Sequence, residues 1–266
     1  MTQLPEHTTQ AAENAAATPK IFDQRVALVT GGARGIGWAI TQALAAAGAH
    51  VAAGYNRDRD AAEKLQEEIT QAGGSMSIHQ GNVGEPADCQ RFVDDVLAAQ
   101  GHIDFLINNA GITVDKTVRR MTMDDWHAVL RINLSGPFHM TKAVLEHMLE
   151  RGSGRIINIS SVIGQTGSVG QANYAASKSG LFGFSQSLAL ETARKGITVN
   201  CVAPGFIETE MVAAVPKEVL DKIVDAIPMG RLGQAGEVAR VVKFLLEDGS
   251  SYITGAVYTV NGGLEM

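Results

Sequence analysis

RVALVTGGARGIGWAITQALAAAG, residues 25–48, carries three signals in a row. RVALVT (25–30) is a short apolar run of strand character. TGGARGIG (30–37) is a glycine-rich turn. Behind it Ile40, Ala43, Leu44 and Ala47 recur at helical spacing, and Gly48 closes the helix. Glycine lets backbone N–H groups approach a pyrophosphate, with the helix dipole behind them. Any tight turn also wants glycine. Its place between a strand and a helix favours nucleotide binding. The spacing is TGxxxGxG, not GxGxxG.

The same alternation continues outward from this unit. HVAAGY (50–55), MSIHQ (76–80), IDFLINN (103–109), GRIINIS (154–160), ITVNCVA (197–203) and AVYTVNGG (256–263) read as strands. Residues 58–74 form a helix with Ala62, Leu65, Ile69 and Ala72 inward. Further helices cover 86–101, 135–151 and the stretch from near Tyr174 to before Gly196. The strands are apolar on both faces, so the sheet is parallel and covered on both sides. The expected fold is α/β, a Rossmann-type doubly wound parallel sheet, in a single domain over 22–266. Residues 204–234 break the alternation with Pro204, Gly205, Pro216, Pro228 and short helical pieces. They follow strand six, where ligands sit in such folds, and read as a lid.

Composition excludes several classes. The formal charge is −6 and no Lys/Arg-rich run occurs, so a nucleic-acid footprint is missing. Cys89 and Cys201 lie far apart without CxxC spacing and read as reduced cytosolic thiols. The seven histidines show no HxxxH or HExxH pairing, so no metal site is expected. No apolar run approaches the ~18 residues that span a bilayer, so no membrane role is expected. Residues 1–21 are read as a disordered tail. They have neither the basic start and apolar middle of a signal peptide nor a transit peptide's arginine. A cytoplasmic protein is expected.

The end of strand two suggests which dinucleotide binds. An acidic residue there would grip the adenosine ribose of NAD. This chain has Gly54, Tyr55, Asn56 and Arg57, and the first acid, Asp58, reads as a helix N-cap. Arg34 lies in the glycine turn, with Arg57 and Arg59 near. A guanidinium suits a 2′-phosphate, so NADP(H) is expected. Arg59 also reads as a solvated surface charge.

These residues match a known pattern. From about residue 22 to the end, the chain resembles the classical short-chain dehydrogenases/reductases. TGGARGIG looks like their cofactor turn, NNAG (108–111) their motif after strand four, and NLSG (133–136) their active-site asparagine motif. Ser161 with Tyr174 and Lys178 fits their serine and YxxxK. Pro204, Gly205 and Thr209 fit their nicotinamide-side loop. One departure is Asn82 in GNV, where the family has Asp before Val. The resemblance implies cofactor contacts from Gly31, Ala33, Arg34, Gly35, Ile36, Gly37, Asn56, Arg57, Asn82, Val83, Asn109, Ala110, Gly111, Tyr174, Lys178, Pro204, Gly205, Ile207 and Thr209.

It also implies a catalytic tetrad. Tyr174 is the general acid of a carbonyl reduction. Free tyrosine titrates near 10, and a nearby cation favours phenolate. Lys178 stands at i+4, one turn along the same helical face. It is expected to lower the Tyr174 value and to bind the nicotinamide ribose. Ser161 donates to the substrate oxygen where negative charge develops. Asn133 holds a water in the proton relay. Ser160 takes a structural role.

Several segments look closest to the 3-oxoacyl-[acyl-carrier-protein] reductases, with the acetoacetyl-CoA reductases of polyhydroxyalkanoate synthesis similar too. The implied reaction is NADPH-dependent reduction of a 3-oxoacyl thioester on acyl carrier protein or CoA. Gln171 and Phe206 join Ser161 and Tyr174 as substrate contacts. Val114 replaces the arginine usual after NNAGIT. Arg151, Arg155, Arg194 and Lys195 read either as a basic mouth for the carrier or as charge complementing helix ends. Other classes are a polyol or hydroxysteroid dehydrogenase and a non-catalytic NADP-sensing protein. The family resemblance implies a homotetramer packed through 135–151 and 174–194.

Overall fold

The computed structural model describes residues 20–213 and 217–265. Apart from Lys20 and Ile21, the expected tail lies outside the described residues. Seven strands form: β1 Val26–Thr30, β2 His50–Tyr55, β3 Ser75–Gln80, β4 Phe105–Asn108, β5 Gly154–Ile159, β6 Ile197–Pro204 and β7 Val257–Val260. The helices are α1 Gly35–Ala46, α2 Arg59–Gln71, α3 Pro86–Gln100, α4 Met123–Leu130, α5 Gly136–Arg151, α6 Ile163–Thr166, α7 Ala172–Thr192, α8 Glu210–Ala213, α9 Lys217–Ala226 and α10 Ala235–Leu246.

All seven strands run parallel in the order β3-β2-β1-β4-β5-β6-β7. The chain moves outward from β1 to β3, then returns to place β4 on the other side of β1. That reversal opens a crevice at the C-terminal ends of β1 and β4. The sheet is buried on both faces. Ile40 and Leu44 of α1, Leu65 of α2 and Val242 and Leu245 of α10 pack on Val29, Ile157 and Val202. On the other face Val93 and Val96 of α3, Met140 and Val144 of α5 and Leu188 of α7 pack on Leu28, Leu106, Ile156 and Val199. The strands are therefore apolar throughout rather than alternating.

The structure adds what periodicity did not reveal. α4 opens on a Thr122–Asp125 capping box and α10 on a Gln234–Glu237 box. Only the first is a sequence-readable start signal, and neither helix was among those expected. Between α4 and α5, residues Arg131–Ser135 form a π-helical turn. Ala72, expected inward, is exposed at the end of α2. The insertion after β6 is pinned at its base, where the Glu208 N–H donates to Gly233 O (2.8 Å) and the Gly233 N–H to Phe206 O (2.9 Å). Pro216 within it lies outside the described residues.

At the edge where strands begin, the Asp104 carboxylate is 3% exposed. It accepts from the Val26 N–H (2.8 Å), from Arg25 (3.3 Å) and from Arg151 (3.2 Å). One buried acid thus joins β1, β4 and the end of α5. Asp104→Ala leaves the buried Val26 N–H without its acceptor and takes one partner from each of two arginines, which keep Asp248 and Ile103 O. It is expected to cost about 2–3 kcal/mol in urea unfolding, since both arginines keep some solvent. Asp104→Asn should cost less, because it can still accept from the Val26 N–H. A loss under about 0.5 kcal/mol in the alanine variant would contradict this role.

Candidate active site

The expected site residues gather at one edge because every strand points the same way. Gly31 follows β1, Asn56 follows β2, Asn82 follows β3, Asn109 follows β4, Ser161 follows β5, and Gly205 follows β6. The turns after β1 and β4 are sewn together. Thr30 Oγ1 accepts from the Asn109 and Ala110 N–H groups, both at 3.0 Å. Asn109 Nδ2 donates to Thr30 O and Gly31 O, both at 3.0 Å.

The glycine turn fits a pyrophosphate. Gly31 and Gly35 hold φ of 61° and 55°, in the left-handed region. At Gly37 a Cβ would stand 2.1 Å from Gly31 O, so only glycine lets α1 start this close to the turn. α1 has no side-chain cap and no acid in its first turn. Its first N–H groups therefore face the crevice uncapped, as an anion requires. Thr209 stands over Gly35, its Cγ2 3.6 Å from where a Cβ would lie. Arg34 and Arg57 are exposed at this end, and neither side chain has a partner among the described residues. Arg59 instead pairs with Glu63 at 2.7 Å, one helical turn along. Asp58 caps α2 by accepting from the Ala61 N–H at 3.2 Å.

Some expected cofactor residues have their side chains committed elsewhere. Ala33 is buried beside Tyr55 and Ala62, and Ile207 is buried in the core. Their backbones are what remains for a cofactor. Val83 packs against Gly136, where a Cβ would come within 2.8 Å of it. Asn82 Oδ1 accepts from the Gly84 N–H at 3.0 Å.

Tyr174 and Lys178 lie on the first two turns of α7, beside the end of β5. Lys178 is 4% exposed, and its Nζ donates to Ile159 O at 2.8 Å. Burial brings its value down from 10.5 to about 8, with Cys201 pulling the other way. It still carries its proton at pH 7. Nζ stands 5.7 Å from the Tyr174 ring centroid. The expected lowering at Tyr174 is not found. Burial pushes the phenol up, the Ser161 hydroxyl pulls it down, and the Asp115 carboxylate adds to the rise. The Lys178 ammonium, 5.7 Å from the ring centroid, is not among the groups that shift the phenol.

Asn133 sits in the π-helical turn, fully buried. Its Oδ1 accepts from the Ile112 N–H (2.8 Å), and its Nδ2 donates to Ile112 O (2.9 Å) and to Ser177 Oγ (3.2 Å). A Cβ on Gly111 would lie 3.4 Å from Asn133 Oδ1 and 3.6 Å from Lys178 Nζ, so glycine keeps the gap between them open. Ser161 is nearly buried, with its Oγ accepting from the Ile163 N–H at 3.2 Å. Ser160 Oγ donates to Lys178 O at 2.7 Å, a structural tie between β5 and α7. Gln171 Nε2 donates to Asp115 Oδ2 at 3.1 Å. The Phe206 ring is partly exposed where the insertion begins.

The basic residues expected at the mouth lie elsewhere. Arg151 binds Asp104, and Arg155 binds Gly154 O and Gly196 O. Arg194 and Lys195 sit in the turn before β6. All four stand at the edge where strands begin, opposite Tyr174 in the same chain. Beside Gln171, a cavity of about 640 Å³ is lined by Lys116, Arg119 and Arg120 together with Asp115, Thr117, Val169 and Gly170. These cations were missed because no periodicity marks a loop. Among the described residues no group of His, Cys, Asp and Glu could hold a metal ion, and no helix is long and apolar enough to cross a membrane.

Lys178 predicts a pH dependence. Its folded value of about 8 lies below the unfolded 10.5, so between them the folded chain binds fewer protons than the unfolded. Stability therefore rises with pH across that window. Measured by urea unfolding, wild type should gain about 2 kcal/mol relative to Lys178→Met between pH 7 and pH 9.5. A pH-independent difference would rule out burial as the cause.

A family model described as Enoyl-(Acyl carrier protein) reductase matches residues 31–265. The acetoacetyl-CoA reductase of Shinella zoogloeoides is 49% identical, covering 90% of this chain and 98% of its own. The acetoacetyl-CoA reductase of Cupriavidus necator is 47% identical, over 91% and 99%. The 3-oxoacyl-[acyl-carrier-protein] reductase of Salmonella typhimurium is 46% identical, over 92% and 99%. With the glycine turn, the parallel sheet and the Ser161–Tyr174–Lys178 arrangement, these matches establish that the chain belongs to the short-chain dehydrogenase/reductase family and is a nicotinamide-dependent oxidoreductase.

Proposed function

We propose that this protein is a cytoplasmic NADPH-dependent reductase that converts a 3-oxoacyl thioester to the 3-hydroxyacyl thioester. The observation that carries this reading is the pairing of Tyr174 and Ser161, two hydroxyls at the end of β5, with the buried Lys178 ammonium beneath. The 3-oxo thioester is the substrate that the relatives' names share. A nicotinamide cofactor, whose pyrophosphate the glycine turn would hold, supplies hydride when bound. Ser161 Oγ–H donates to the substrate's carbonyl oxygen, where negative charge develops. Tyr174 gives its phenolic proton to that oxygen. Lys178 keeps positive charge beside the phenolate so formed. Asn133 and Lys178 border the gap at Gly111, through which a water can return the proton.

Arg34 and Arg57 favour NADPH, since each exposed guanidinium can meet a 2′-phosphate. Arg119 and Arg120 suit the phosphate of a phosphopantetheine arm, whether on acyl carrier protein or in CoA, while Lys116 is held by Asp125. Acetoacetyl-CoA is favoured as a substrate by the 49% identical relative. A homotetramer through α5 and α7 is also proposed. Phe138 and Leu190 on their outer faces are 49% and 86% exposed.

The direct test mixes protein, NADPH and acetoacetyl-CoA or a 3-oxoacyl carrier protein and follows nicotinamide absorbance. Turnover is expected, and Tyr174→Phe should lower kcat by roughly 10²–10⁴. No turnover with any 3-oxoacyl thioester would overturn the reading. Arg34→Ala with Arg57→Ala should raise KM for NADPH roughly ten-fold or more and leave NADH little changed. Arg119→Glu with Arg120→Glu should raise KM for the thioesters yet spare a small diketone. Equal losses on both would exclude a phosphate-binding mouth.

A further inference from the structure

Asn173 stands immediately before Tyr174 and takes no part in the chemistry above. It is completely buried. Its Oδ1 accepts from the Tyr174 N–H at 2.8 Å, and its Nδ2 donates to Val114 O at 3.1 Å and Asp125 O at 3.3 Å. The amide admits no other orientation. Turned over, its oxygen would face two carbonyls and its NH₂ an N–H.

These bonds close a ring. Val114 lies two residues after Ile112, whose N–H and C=O are both held by the Asn133 amide. Asn133 Nδ2 also donates to Ser177 Oγ, and Ser177 Oγ donates to Tyr174 O at 2.7 Å. Both backbone polar groups of Tyr174 are thereby tied to Asn133, one through Ser177 and one through Asn173 and the 112–114 segment. Asn133 and Ser177, like Asn173, are fully buried. The 112–116 segment has two further fastenings: the Lys116 N–H donates to Gly170 O (2.8 Å), and Lys116 Nζ pairs with Asp125 (2.7 Å).

We infer that Asn173 is a positioning residue that closes this ring and sets where the Tyr174 phenol stands relative to Ser161 and Asn133. The inference rests on Tyr174 being the proton donor proposed above. Such a role acts more on the chemical step than on cofactor affinity, because the glycine turn that would hold the pyrophosphate lies on other elements.

Three variants test it. Asn173→Leu keeps the number and branching of side-chain heavy atoms and removes all three bonds. Asn173→Asp keeps the acceptor for the Tyr174 N–H but loses both donors. Asn173→Ser is the smallest perturbation and serves if the others do not fold. Each is assayed by steady-state kinetics, normalised to molecules that bind NADPH. The expected result is a roughly 10- to 100-fold lower kcat in Asn173→Leu with KM for NADPH within two-fold of wild type. Wild-type kcat per NADPH-binding molecule in any of the three overturns the inference, as does a loss carried by KM for NADPH with kcat unchanged. Tyr174→Phe is the control. If it retains full activity, the proton-donor assignment itself has failed. If it is inactive while the Asn173 variants match wild type, only the ring has failed.

Discussion

A parallel sheet exists only with both faces covered, and that constraint organises this molecule. Each strand must be followed by a segment that crosses back over a face, so every strand points the same way. The loops that leave the strands then collect along one edge. The β1-to-β4 reversal opens that edge in the middle, between the glycine turn and Asn109. Neither the crevice nor the gathering of Ser161, Tyr174 and Asn133 requires a separate device. They follow from burying apolar strands between α1, α2 and α10 on one side and α3, α5 and α7 on the other.

Polar groups inside this frame are held in place. Lys178 is buried at a cost visible in its lowered value, and one carbonyl, Ile159 O, offsets part of that cost. Deeper, Asn108, Asn158 and Cys201 occupy register positions across β4, β5 and β6. Asn108 donates to Asn158, Asn158 to Ser185 of α7, and Ser185 meets Cys201 at 3.1 Å. That polar rung ties the helix bearing Tyr174 to the strand leading to Ser161. Hydrogen-bonded buried groups of this kind specify one packing where a wholly apolar layer could slide.

Much of this was legible in the sequence. The seven strands were found because apolar runs bounded by turn residues are a local pattern. TGGARGIG and the Tyr174–Lys178 pair stand out by spacing within one or two turns, whereas NNAG and Ser161 were legible only through the family resemblance. α4 and α10 escaped, although each carried a local signal: the Thr122–Asp125 capping box for α4, and Val238, Val242, Leu245 and Leu246 at helical spacing for α10. Ala72 was misplaced because helical spacing continues past the point where neighbouring elements stop covering it.

The sequence by itself determined the architecture and located the glycine turn and the Tyr174–Lys178 pair, because each is encoded in local period or spacing. Only the tertiary structure decided where the charges act. Arg151, Arg155, Arg194 and Lys195 stand at the edge opposite their own chain's Tyr174, while Lys116, Arg119 and Arg120 stand beside Gln171. It also decided that Tyr174 is raised rather than lowered, since a pKa depends on desolvation and on the groups folded around it, here Ser161 and Asp115. Spacing along a helix makes two residues neighbours. How strongly they interact depends on what else surrounds them, and the chain brings that from segments far apart in sequence.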